Sequence, residues 1–103
     1  MYRLVLALLL LPVAACAEDW PQWRGPSRDG TWREPNTVEK FASDKLDPVW
    51  RMPIGSGYNG PTVAKGRVYV TDRAVQPKQV ERVHCFESAT GKPVWSHTYD
   101  CQY

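Results

Sequence analysis

One stretch decides the fold. It reads Gly66-Arg67-Val68-Tyr69-Val70-Thr71-Asp72, a polar gap, Arg82-Val83-His84-Cys85-Phe86-Glu87, the turn Ser88-Ala89-Thr90-Gly91-Lys92, and Pro93-Val94-Trp95. In an extended chain Val68 and Val70 share one face and Tyr69 takes the other. Val83 and Cys85 pair the same way against His84 and Phe86. β-Branched and aromatic residues suit a pleated surface, so these segments read as strands. Bulk on both faces predicts a sheet covered on both sides. Gly66 and Thr90-Gly91 mark chain reversals, because glycine tolerates positive φ. Pro93 lacks an N–H, which fits the first residue of a strand or an edge strand. Recurrent glycine and proline argue against helix.

Working outward, Pro48-Val49-Trp50-Arg51-Met52 also reads as a strand. The following Gly55-Ser56-Gly57-Tyr58-Asn59-Gly60 matches the G-x-G-x-x-G spacing of dinucleotide loops. That fingerprint needs a helix next, and Pro61-Thr62-Val63 starts none, so the segment reads as a β-turn connector. Pro48-Val49-Trp50 recurs as Pro93-Val94-Trp95, an offset of 45 residues. Propeller blades of four strands repeat at about that period. Four strand candidates accompany the offset: residues 60–64, 66–72, 82–87 and 93–99. The expected fold class is all-β: one four-stranded antiparallel blade of a β-propeller, with Trp50 belonging to the outer strand of a preceding blade.

Toward the N-terminus, residues 18–47 form a strap. Trp20 and Trp23 flank Pro21, and Arg24 is placed to lie over an indole. Indoles packed on the rest of the protein are the expected arrangement; an aromatic platform for a sugar or base is the sharper alternative. Residues 31–47 carry no clear pattern and read as surface loop. Residues 1–17 are a targeting segment, with Arg3 ahead of an apolar run over residues 4–13. That run is shorter than the roughly 20 residues of a spanning helix. Ala15-Cys16-Ala17 fits a small-residue cleavage site. Val13-Ala14-Ala15-Cys16 also resembles the bacterial lipoprotein box, which would place a lipid on Cys16. Both patterns take the chain out of the cytoplasm, to the periplasm or cell envelope, and only the second attaches it to a membrane.

The formal charge is +2, with 23% charged residues. That is no basic patch, so nucleic acid is not an expected partner. A domain as small as residues 18–103 buries only about 60% of its unfolded surface and is marginal alone.

The turn and the strand after it carry a family resemblance. Cys85-Phe86-Glu87-Ser88-Ala89-Thr90-Gly91-Lys92-Pro93-Val94-Trp95 resembles the repeat motif Ala-x-Asp-x-x-Thr-Gly-Lys-x-x-Trp of PQQ-like β-propeller proteins. Thr90, Gly91, Lys92 and Trp95 are intact; Cys85 and Glu87 replace the Ala and Asp. The opening Asp19-Trp20-Pro21-Gln22-Trp23-Arg24-Gly25-Pro26-Ser27-Arg28-Asp29-Gly30 is similar to that of exported bacterial members. The resemblance implies residues 48–103 as a first blade, in a fragment of a ring of several, with Trp95 docking on a neighbouring blade near such a glycine turn. It implies other blades or a protein partner, and two roles. The first is a non-catalytic scaffold or interaction module of the cell envelope, with no cofactor in this fragment. The second is the N-terminal part of a quinoprotein dehydrogenase that binds PQQ and Ca²⁺. The vicinal Cys-Cys pair that goes with quinoprotein alcohol dehydrogenases is absent from the sequence.

Other chemistry is sparse. Hairpin reversal at residues 88–92 puts Cys85 across from Trp95 or Ser96. Cys101 then lies about 17 Å further along the strand, so two separate thiols are expected, with a bridge requiring a bend past Tyr99. His84 and His97 fall in the same hairpin, where cross-strand imidazoles would hold a metal, yet no third ligand stands at a telling spacing. A Cys85–His84 catalytic pair fails because neighbours on a strand point to opposite faces. Glu18 and Asp19 read as solvated; Glu81, Glu87 and Asp100 read as turn and strand-end residues. No catalytic, cofactor-binding or metal residue is assigned.

Overall fold

The computed structural model describes residues 18–102. Cys16 and the 1–17 segment lie outside the described residues. Four antiparallel strands form one sheet in sequence order: β1 (Thr62–Ala64), β2 (Arg67–Ala74), β3 (Val80–Glu87) and β4 (Pro93–Asp100). No helix occurs among the described residues.

The turns explain the order. Ala64 pairs with Arg67, leaving Lys65 and Gly66 as a two-residue loop, both at positive φ (49° and 73°). That is the geometry whose twist matches the flanking strands. Lys65 takes the position where a side chain is disfavoured, and the Asp19 carboxylate accepts its N–H at 3.0 Å. Asp19 is exposed, as expected, and also pins this turn. At the other reversal, the Glu87 N–H donates to Lys92 O (2.9 Å) and the Gly91 N–H to Glu87 O (2.8 Å). The pairing shifts between Cys85 and Phe86: Cys85 faces Trp95 and Phe86 faces Pro93, so Val94 is the extra residue of a bulge.

Strand alternation divides the side chains into two faces. Val68, Val70, Asp72, Arg82, His84, Phe86, Ser96 and Thr98 share one, the Trp50 face. Tyr69, Thr71, Val83, Cys85, Trp95, His97 and Tyr99 share the other, the Trp95 face. The core is thin. Val70, Cys85 and Phe86 are its buried apolar residues, and Asp72 is buried among them.

Residues 48–52, expected as a strand, pair with no neighbour among the described residues. Their bulky, β-branched composition suits a segment laid against a sheet as well as one inside it. Trp50 lies on its face of the sheet, tilted against Phe86 at a ring distance of 6.3 Å. The chain then runs along the β2 edge, where the Arg73 N–H donates to Ser56 O (2.8 Å). It loops out and returns as β1. The strap closes that side of the sheet: Trp20 and Val63 exchange backbone hydrogen bonds at 2.8 and 2.9 Å. Cover on the Trp95 face stops short of β4, all eight residues of which are exposed.

Candidate functional site

The sharpest feature is the seat of Trp50 in the Gly91 turn. Thr90 Oγ1 donates to Glu87 Oε2 (2.9 Å) and accepts the Lys92 N–H (3.2 Å), which fixes the turn from inside. Gly91 then sits at φ 72°, a conformation that glycine adopts without strain. Its α-carbon lies flat against the indole: a Cβ there would stand 2.6 Å from Trp50 Cδ2. The Trp50 Nε1–H donates to Ser88 O at 2.7 Å. An indole therefore packs on a bare glycine and is steered by one hydrogen bond. Thr90, Gly91 and Lys92 build this seat together. Trp95 is not part of it. Its ring packs on Tyr69 at 6.0 Å on the opposite face and remains 45% exposed.

A buried polar network lies beyond it on the same face. The Asp72 side chain is wholly shielded from solvent. It accepts Arg82 Nε–H at 2.8 Å, Arg82 Nη2–H at 2.6 Å and the Gly55 N–H at 2.5 Å. The paired guanidinium, helped by Gly55 and His84, holds the Asp72 carboxyl far below the usual carboxylate range, against the opposing effect of burial. His84 Nε2 stands 3.0 Å from Asp72 Oδ1 but is not aligned for a hydrogen bond. His84 Nδ1 meets Ser96 Oγ at 2.8 Å. Asp72, His84 and Ser96 thus stand in the order of a hydrolytic triad. The chemistry does not follow, because the Asp72 charge is already neutralised by Arg82. The network ties β2, β3 and β4 to the 55 loop. Sequence reading missed it; the signal was one carboxylate and one guanidinium, Asp72 and Arg82, each on the Trp50 face of its arm of the hairpin, which the register sets face to face.

The aromatic strap frames a cleft of about 890 Å³ with Trp20, Trp23, Asn59, Tyr69 and Thr71 on its walls. Trp20 is packed, with Gly25 against its ring, as the strap reading expects. Trp23, expected to pack as well, is instead 74% exposed. The amide groups nearby are engaged within the chain: Asn59 donates to Thr71 Oγ1, and Gln22 holds Pro26 O and Arg28.

The remaining candidates separate. Cys85 faces Trp95 and is fully buried, Cys101 lies beside Gln79, and both are free thiols. His84 faces Ser96 and His97 faces Val83, so the two imidazoles lie on opposite faces and cannot share a metal. Among the described residues no three His, Cys, Asp or Glu side chains converge as ligands. Glu81 accepts from Tyr99 Oη–H, Glu87 from Thr90 and Asp100 from Lys78.

Comparison with protein-family models, curated proteins and solved structures finds no match to this chain.

Proposed function

We propose that this chain is a blade of a PQQ-like β-propeller in an exported protein, acting as a non-catalytic scaffold or interaction module of the cell envelope. One observation carries the reading: the indole of Trp50 seated on Gly91. The repeated Pro-Val-Trp places Trp95 45 residues after Trp50. Trp50 arrives from outside the four strands and docks on this sheet's turn. Trp95 leaves the sheet's last strand half exposed, ready to dock in the same manner on a following glycine turn. Blades joined this way bury faces that a single blade leaves open.

The alternative, part of a quinoprotein dehydrogenase, requires PQQ and Ca²⁺. The described residues do not fit that pair well: the one buried carboxylate, Asp72, is taken by Arg82 and Gly55. No step through either group is assigned to this chain. Titration with PQQ and Ca²⁺ separates the readings. The scaffold reading expects no change in quinone absorbance and no dye reduction. A saturable absorbance shift with activity would overturn it.

A further inference from the structure

Among the described residues, the hydrogen-bond parity of the sheet leaves one row of backbone groups without a strand to receive it. The Ser88 N–H donates to Gly66 O (3.0 Å), so even-numbered residues of β3 bond toward β2. The Glu87 N–H donates to Lys92 O and the Cys101 N–H to Gln79 O, so odd-numbered residues of β3 bond toward β4. Trp95, His97 and Tyr99 therefore turn their backbone groups inward, to Cys85, Val83 and Glu81. The N–H and C=O groups of Ser96 and Thr98 point outward, and among the described residues no segment lies along that edge. The opposite side of the sheet is closed by Trp20 on β1 and Ser56 on β2. The β4 edge also lacks the devices that blunt edges. Its only charged residue is Asp100 at the end, its only proline is Pro93 at the start, and its bulge lies at that same start.

From this we infer that the β4 edge binds a second copy of the same strand, antiparallel, with His97 on the two-fold axis. The outward residues fix the choice. Antiparallel self-pairing across this edge must match even with even, so the central residue opposes itself. Centring on His97 makes Ser96 and Thr98 exchange backbone hydrogen bonds with the partner's Thr98 and Ser96. On the Trp95 face it sets each Trp95 opposite the partner's Tyr99, giving two aromatic cross-strand pairs. The two Asp100 carboxylates fall at opposite ends, each across from Val94, so no like charges meet. The occupant is thus a copy of this chain, because the strand's own sequence is complementary to itself in the register its backbone allows. This goes beyond the blade reading and does not depend on it, since the pairing is made by the β4 backbone edge; the two readings compete only for the Trp95 ring.

Sedimentation velocity over a concentration series tests it on the whole chain. The expectation is a monomer–dimer equilibrium. Thr98→Pro removes only an outward N–H, a place where an edge strand accepts proline, and loses two symmetry-related bonds. It should raise the dissociation constant about ten- to a hundredfold with the circular dichroism spectrum unchanged. Should that variant unfold, Thr98→Lys supplies the same readout by placing a charge on the edge. In a Cys101→Ser background, His97→Cys should form an intermolecular disulfide, since facing residues of this type lie about 4.5 Å apart. Thr98→Cys, one residue off the axis, should not. A monomer at every concentration up to about 1 mM overturns the inference, as does a dimer indifferent to Thr98 or one that His97→Cys fails to cross-link.

Discussion

Replacing Gly91 by alanine tests the seat of Trp50 directly. Two costs arise. A non-glycine residue at φ 72° is strained by about 1–2 kcal/mol. The new Cβ would also stand 2.6 Å from the Trp50 ring, so the indole must leave. A fully buried indole contributes about 4–6 kcal/mol as an upper bound; Trp50 keeps a minor part of its surface exposed, which brings the loss to about 3–4 kcal/mol on the same area scale. Its hydrogen bond to Ser88 O adds about 1 kcal/mol. The sum is about 5–7 kcal/mol, near the whole stability of a small domain. The measurement is urea unfolding followed by circular dichroism, with an excluded osmolyte present to keep the variants folded. A double-mutant cycle with Trp50→Ala separates the two costs. Without the indole, Gly91→Ala should cost only the backbone share of about 1–2 kcal/mol, leaving a coupling of about 4 kcal/mol, far above the additivity error of distant sites. If Gly91→Ala costs the same with and without Trp50, the seat contributes nothing and the docking argument fails.

Three further outcomes concern the other sites. The Asp72 carboxyl is held low in the folded state, so its contribution is complete above the unfolded value near pH 4 and is lost as pH falls below that. Urea midpoints should drop across this acid range, and Asp72→Asn should flatten that limb while costing about 1–3 kcal/mol at neutral pH, since Arg82 is partly solvated. Cys101 should react with a thiol reagent in the native chain, whereas Cys85, with no exposed surface, should react only on unfolding; mass mapping of the labelled sites decides it. Cys85→Ser should destabilise by about 1–3 kcal/mol by burying a hydroxyl, and a neutral result in the same urea assay would show that the site admits water.

The four strands were legible because alternation, Gly66 and the Thr90-Gly91 turn all pointed the same way. The observed ends differ from the expected ones by a residue or two: β3 starts earlier, at Val80, and β4 ends later, at Asp100, whereas β1 starts later, at Thr62. Two misreadings have physical causes. Residues 48–52 have strand composition, yet nothing local says whether such a segment joins a ladder or lies across one. His84 and His97 were placed together because a symmetric hairpin permits either Trp95 or Ser96 opposite Cys85. The bulge at Val94 selects Trp95, and a slip of one residue moves a side chain to the other face. The Asp72–Arg82 pair was hidden for a related reason, since register, not sequence distance, makes them partners. The seat on Gly91 was half legible: the turn residues were recognised, but which tryptophan fills it depends on a long-range contact.

The sheet's two borders are unequal, and the inequality limits growth. Trp20 and Ser56 already occupy one border, which leaves the sheet, among the described residues, one open border. Self-pairing along β4 uses that side up in both participants at once. Assembly of this kind ends at a pair, so the same open strand that invites association offers no template for a fibril.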